Sequence, residues 1–263
     1  MRGFCRFQAP FLFISLVTVP TALPKSPPAI AQEVREGVDL NCVRGHIDNV
    51  LAALGSVAMT EKIERFLGTA TAARKLDSFE AEVSVDDGVE HYTGVRGKHR
   101  TYQHVSQIGG LWSFGEIVTM LRTTRDIINS SDGNQELFAP DGEGAPDQVV
   151  ITFQSPAASH RWFVIAEGRT YWLAFEGSVR ISRKTKEVER VTWTSTIPPS
   201  GTGLASILWD VNFQPVTIAG AAFIMPSDSI YRVVRKGQER EWNLTRYAAL
   251  GRYGSTATVN YIP

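Results

Sequence analysis

Five histidines, one mature-region cysteine and scattered serines and carboxylates are the residues in this chain that could do chemistry. His46, His91, His99, His104 and His160 include no HxH or HxxxH pair, the close spacing that lets one strand or one helix face present two ligands to zinc. His99 and His104 come nearest, and no acid or thiolate accompanies them, so no metal or cofactor is expected. Cys42 precedes His46 by four residues, a spacing that helps a thiolate only if both share a helix face and the setting is electropositive. A structural or incidental Cys42 is the plainer reading, either buried or open to intermolecular pairing. Serine nucleophiles announce themselves as GxSxG or SxxK; Gly177-Ser178-Val179 fits neither, and Ser195 falls within a strand pattern. Neither Gly109-Gly110 nor the Gly142–Gly144 spacing opens a helix with a following Lys-Ser/Thr, as a phosphate loop requires. Paired carboxylates of the glycosidase type are far apart in sequence, and nothing here singles out a pair. The expectation is a non-enzymatic protein.

The segment GSVRISRKTKEVERVTWTST, residues 177–196, places Arg180, Arg183, Lys184, Lys186 and Arg190 close together. By period it is a hairpin. Val179 and Ile181 alternate with Ser178, Arg180 and Ser182, then residues 183–186 turn, and Val191 and Trp193 face away from Arg190, Thr192 and Thr194. Glu187 and Glu189 interleave with the cations, so the run reads as a solvated strand face with balanced charge. The whole chain carries 27 Lys and Arg against 27 Asp and Glu, a poor match to the net positive charge that phosphate binding draws on. No nucleic-acid partner is expected.

The elements that must position these residues begin after residue 31. Arg2 and Arg6 precede the apolar run Phe11–Val19; Pro20 and Pro24 end it, and Ala29-Ile30-Ala31 offers small residues for cleavage. This is the layout of a secretory signal peptide, and the run is shorter than the ~20 apolar residues of a spanning helix. Cleavage near Ala31 predicts an exported chain, periplasmic or secreted, with residues 32–263 as one domain. The leader takes Cys5, Arg2, Arg6 and Lys25 with it and no acid, which leaves a slight acidic excess and Cys42 alone.

Val43, Ile47, Val50, Leu51 and Leu54 are spaced as a helix that Gly55 ends. Ser113 to Ile128 is a second helix: Ser113 as N-cap with Glu116 three residues on, and Phe114, Ile117, Val118 and Leu121 as its apolar stripe. Residues 129–147 read as loop around Leu137-Phe138. Elsewhere the period is two. Val57, Met59, Glu61 and Ile63 mark a strand, Leu76–Val95 a hairpin turning at Asp86-Asp87-Gly88. Nine further strands follow: Val149–Phe153, Trp162–Glu167, Tyr171–Ser182, Val188–Thr196, Ala205–Phe213, Ala221–Met225, Ile230–Arg235, Trp242–Tyr247 and Ala257–Tyr261. Trp193 lies in register with Val191, and Trp209 with Ile207, Val211 and Phe213. Trp172 falls on the opposite side from Tyr171, Leu173 and Phe175. Such inward stripes either fill a core or line an apolar cavity.

Tyr171-x5-Gly177-Ser178-Val179, the turn through Thr185, Arg190, Ile197-Pro198, Trp209-x-Val211 and Ile218-Ala219-Gly220-x2-Phe223-x2-Pro226 form a recognisable series. With Thr60–Arg65 (TEKIER) and Phe114-Gly115 upstream, the chain over residues 43–261 resembles a group of secreted bacterial proteins with the lipoprotein-carrier fold of the LolA/LolB outer-membrane lipoprotein-sorting proteins. The resemblance implies a half-barrel of curved antiparallel sheet whose helices plug an apolar cavity. It also implies cysteines where this chain has Met59 and Leu250, so packing would replace a cross-link there. No signature of lipoprotein transfer is present to carry over.

Together these readings predict an α+β fold: a strongly curved antiparallel sheet with about two helices on its concave apolar face. The expected ligand site is lined by Phe114, Ile117, Leu121, Val191, Trp193, Trp209 and Phe213. Expected partners are an apolar small molecule, lipid, acyl chain or lipoprotein-related client, or an envelope protein. Contact with a membrane surface is compatible with this; an integral span is not. The alternative is an envelope structural or interaction module with a filled core, whose strand edges recruit a partner strand.

Overall fold

The computed structural model describes residues 40–55, 57–69, 72–103, 107–108, 117–129, 139–141, 147–166, 168–218, 220–237 and 239–252. The signal-peptide layout, Phe114, the Ser113–Glu116 capping box, Leu137-Phe138 and the Ala257–Tyr261 strand lie outside them.

Helix α1, Leu40–Leu54, buries Val43, Ile47, Val50 and Leu54 on one stripe, the i, i+4, i+7 spacing of a single helix face. It closes where the Gly55 N–H donates to the Leu51 carbonyl at 3.1 Å. Three strands follow: β1 Val57–Gly68, β2 Ala73–Asp86 and β3 Val89–Gly97. The β2–β3 turn holds Asp87 and Gly88 at φ 52 and 71, the left-handed pair that matches hairpin twist. Gly88 serves a second purpose: a Cβ there would lie 1.6 Å from the Arg122 guanidinium, which donates to the Gly88 carbonyl at 3.1 Å. Helix α2, Ile117–Asn129, carries that arginine.

The remaining strands are β4 Ala139–Asp141, β5 Gln148–Ser155, β6 Phe163–Ala166, β7 Arg169–Trp172, β8 Phe175–Ser182, β9 Val188–Ser195, β10 Leu204–Ile218, β11 Ala221–Arg235 and β12 Arg240–Arg252. Ten of the strands form one antiparallel sheet in the order β3-β2-β1-β12-β11-β10-β9-β8-β5-β4, and β6-β7 is a separate pair. The sheet is open, with β3 and β4 at its edges. The chain starts in the middle of the sheet at β1 and runs out to β3. It re-enters at β4, on the other edge, and returns strand by strand until β12 pairs with β1. Helix α2 lies in the link between the two edges.

Three expected strands are divided differently, and Ala205–Phe213 and Trp242–Tyr247 run longer, as Leu204–Ile218 and Arg240–Arg252. Tyr171–Ser182 is two elements, because the Leu173 N–H donates to Trp162 O and the Ala174 carbonyl accepts from the Ser195 hydroxyl. The backbone between β7 and β8 therefore changes partners. Ala221–Met225 and Ile230–Arg235 are one strand, β11. Its Pro226, which cannot donate to a ladder, sits at a register shift where Phe213 pairs with Pro226 and Asn212 with Asp228. The second helix is described from Ile117 instead of Ser113. Met59 pairs with Ala249 and Ala58 with Gly251, so Leu250 is the residue that the bulge leaves between them.

Both helices share one buried cluster with the inner face of the sheet, from Val57 and Met59 on β1 to Ile151 and Phe153 on β5. Helix α1 packs on α2, β9 and β11, and Arg125 of α2 reaches Asp48 of α1 at 3.0 Å.

Candidate functional site

One lateral row crosses the inner face. Phe153 stands opposite Gly177, Gly177 opposite Trp193, Trp193 opposite Trp209, Trp209 opposite Tyr231, Tyr231 opposite Asn243, and Asn243 opposite Arg65. Directly opposed residues point to the same side of a sheet, so the row divides the face into an aromatic half and a polar half.

In the aromatic half the rings pack without a break. Phe175 lies 4.7 Å from Trp193, Trp162 lies 5.5 Å from Trp193, Trp209 lies 5.9 Å beyond, and Tyr231 6.3 Å beyond that. Most of these contacts are edge-on, the arrangement that opposes the positive rim of one ring to the negative face of the next. Gly177 is a glycine because the Phe153 ring lies over it: an added Cβ would come within 2.2 Å of Phe153 Cζ. Helix α2 sits on this half through Thr124, whose hydroxyl accepts from Trp193 Nε1 at 3.2 Å with both residues fully buried. Six of the seven expected lining residues, Ile117, Leu121, Val191, Trp193, Trp209 and Phe213, join this one buried cluster. The seventh, Phe114, lies outside the described residues. Trp172 is elsewhere, beside Phe163 at 5.1 Å and His160 at 4.8 Å on the β6-β7 pair.

The polar half belongs to β1, β3, β11 and β12. Glu61, only 2% exposed, stands opposite Tyr247 and Ala81. Burial and the neighbouring Glu90 carboxylate push its pKa well above the usual carboxylate range. Glu90 accepts the Tyr92 hydroxyl at 2.7 Å and the Val118 N–H at 3.0 Å. A carboxylate from β3 thus receives the first turn of α2, where unpaired N–H groups and the helix dipole favour an anion. Burial raises the Glu90 pKa while the Tyr92, Val118 and Ile117 bonds pull it down. Tyr247 meets the Ser229 hydroxyl at 3.0 Å, and burial followed by the Glu61 charge pushes its phenol well up. Beyond them, both oxygens of Asp77 hold the Arg65 guanidinium, the Nε contact being 2.6 Å.

Reasoning from sequence missed this polar half as a site, although one signal was present: Glu61 falls in the same register as Val57, Met59 and Ile63. Glu90 gave no signal, since its role depends on α2 arriving from a distant part of the chain. Among the described residues, Trp162 Nε1, Trp209 Nε1 and Asn243 Nδ2 are buried donors without a hydrogen-bond acceptor, as are Arg180 Nε and Arg240 Nε.

The outer face carries the basic run. Arg190 is compensated by Asp210 of β10, whose carboxylate also accepts from Thr192 at 3.1 Å, and Glu189 accepts from Gln148 at 2.7 Å. Neutralisation therefore comes from the neighbouring strand as much as from the interleaved glutamates. Two open depressions of ≈ 520 and ≈ 320 Å³ lie over β5, β8 and β9, along Thr152, Gln154, Glu176, Thr192 and Thr194. Ile197 at the margin of the smaller one is 84% exposed. Among the described residues no group of three or more His, Cys, Asp or Glu could hold a metal, and no helix is long and apolar enough to cross a membrane.

No protein-family model and no curated protein matches the chain. Among solved structures, the chain is similar to a LolA superfamily protein from Nitrosomonas europaea (TM-score 0.37, 9% identity, 81% of this chain and 92% of that one). It is similar also to a DUF1329 family protein from Desulfovibrio piger (0.35, 10%, 80% and 91%) and to an outer membrane lipoprotein-sorting protein domain from Vibrio parahaemolyticus (0.36, 10%, 82% and 96%). Two of the three bear the lipoprotein-carrier name that the sequence pattern resembles, and at TM-scores below 0.5 they are likenesses from which no ligand or activity is taken.

Proposed function

We propose that this chain is an exported, non-enzymatic binding protein for an apolar ligand, a lipid or acyl chain, taken up between the inner face of a curved sheet and the α1–α2 layer. The observation that carries this reading is the ladder of rings from Phe175 through Trp193 and Trp209 to Tyr231, roofed by α2. Aromatic faces offer large apolar area with few rotatable bonds, so a chain can replace α2 against them at little cost in side-chain ordering. The single polar link from α2 to the ladder, Thr124 to Trp193, is the size of contact that a bound chain can displace, ~1 kcal/mol. Ile117 and Leu121 on α2 and Val191 and Phe213 on the sheet complete the proposed lining.

Native mass spectrometry and lipid extraction of protein purified without detergent test the reading. A small apolar molecule leaving with the protein is the expected result. Protein that carries none and takes up no chain from a delipidated start overturns it. Export is tested by N-terminal sequencing of the protein from a periplasmic or culture fraction, with Gln32 expected as the first residue.

A second reading has its own support in the outer-face depressions over β5, β8 and β9 beside exposed Ile197. There the protein is an envelope interaction module and the interior is only its core. A stable protein partner recovered from envelope extract, lost on Ile197→Asp, with no extracted lipid, is the outcome that selects it.

A further inference from the structure

Trp162, Trp209 and Asn243 are 5%, 2% and 1% exposed, and each buries a donor that meets no acceptor among the described residues. Tryptophan and tyrosine in an interior ordinarily place their polar atom on a partner, and an unmet buried group costs stability. Trp193 shows the ordinary arrangement, its Nε1 bonded to Thr124. The two unmet indoles flank it, with ring centres at 5.5 and 5.9 Å. Asn243 continues the same row two strands beyond Trp209, ~10 Å away at the usual strand spacing. The unmet Trp209 and Asn243 atoms are therefore donors along the row that the proposed apolar ligand would cover, and Trp162 packs against that row at Trp193.

An indole N–H can only donate, so its partner must present a lone pair. An ammonium head has none. A carboxylate head is disfavoured for a different reason. The inner face already holds the Glu61 and Glu90 carboxyls, and the guanidinium at the end of the row, Arg65, is taken by both oxygens of Asp77. A neutral carbonyl satisfies the donors without adding a buried charge, whose desolvation would cost more than the bonds return.

Building on the interior-binding reading, we infer that the ligand is a neutral lipid bearing an ester carbonyl, which accepts from the Trp209 indole, with Asn243 as the donor for a further carbonyl along the row and Trp162, packed on Trp193, as another beside it. Its chain lies over Trp193, Phe175 and Val191. No covalent step is involved.

The test measures displacement of a neutral fluorescent naphthylamine from the full mature chain by methyl laurate, by tridecane and by sodium laurate. It compares wild type with Trp209→Phe, Asn243→Leu and the double variant. Trp209→Phe keeps an aromatic ring and Asn243→Leu replaces the amide by an apolar side chain of similar size, and unfolding midpoints confirm that the variants fold. The ratio of methyl laurate affinity to tridecane affinity is expected to fall ~3–10-fold per donor removed, over and above any packing loss that both ligands share. Independently, the infrared carbonyl band of ¹³C-labelled methyl laurate is expected at lower wavenumber when bound to wild type and to return toward its free position in Trp209→Phe. Equal losses for ester and hydrocarbon, or an unmoved carbonyl band, overturn the inference while the binding reading stands. Laurate as the tightest of the three also overturns it. Binding of none of the three removes both.

Discussion

The two halves of the inner face are buried by the same helices and built on the same sheet, yet they respond to different variables. The aromatic half, β5 to β10, is held by ring contact and apolar burial; its energy depends on shape and hardly on pH. The polar half, around Glu61, Glu90, Tyr92 and Tyr247, is held by a few hydrogen bonds among groups whose pKa values burial raises. Helix α2 spans both, bonded through Thr124 to the first and through its Val118 N–H to the second. One helix is thus sensitive to charge at its first turn and to packing at its middle.

The largest way to break this contrast is Trp193→Ala. It removes a fully buried ring that touches Trp162, Phe175 and Trp209 and also anchors Thr124, and is expected to cost ~3–5 kcal/mol in urea unfolding, equally at pH 5 and pH 8. Gly177→Ala is next. The added methyl must displace the Phe153 ring, for ~1–3 kcal/mol of overpacking, and Phe153→Leu in the same chain should restore most of it.

Glu61→Gln acts in the opposite direction and only through the polar half. The folded-state pKa of Glu61 is raised, so the unfolded chain ionises first. Stability therefore falls as pH rises from the unfolded glutamate value, ~4.3, and levels off above the folded value. The variant lacks this loss: it should match wild type below ~pH 4 and exceed it at pH 8 by ~1–3 kcal/mol, the scale of an unsatisfied buried polar group. Thermal unfolding from pH 4 to 8 checks the sign, and a wild-type curve parallel to the variant's would dissolve the contrast.

Smaller still, Thr124→Val leaves Trp193 Nε1 without an acceptor and should cost ~1 kcal/mol. Glu90→Gln keeps an acceptor for the Val118 N–H but removes the anion from the first turn of α2, for ~0.3–1 kcal/mol. Hydrogen exchange of the α2 amides resolves the two, with Glu90→Gln loosening the first turn and Thr124→Val the middle.

Local pattern made much of this legible. The stripe Val43, Ile47, Val50, Leu54 specified α1, because helix period is a property of neighbouring residues. The alternation of Phe79, Ala81, Val83 and Val85 with charged partners specified β2 and its inner side, and Asp87-Gly88 its turn. Val191, Trp193, Trp209 and Phe213 fell on one face by the same logic. Tyr171–Ser182 misled it, since an unbroken apolar alternation says nothing about a backbone that exchanges partners at Leu173 and Ala174. Arg190 misled it in part, since charge balance was sought in Glu187 and Glu189, which are near in sequence, while Asp210 is near in space.

From the order of its residues alone, this chain determines an all-antiparallel sheet with two helices, an apolar side carrying tryptophans, and a charge balance unsuited to nucleic acid. Periods of 2 and 3.6 are enforced by backbone geometry within a few residues. The tertiary structure decided that β1 closes against β12, that Glu90 meets α2, that Glu61 is enclosed among tyrosines, and that two indoles are left without acceptors. Each of these depends on which distant segments come together, a choice made by burial and hydrogen-bond satisfaction over the whole sheet.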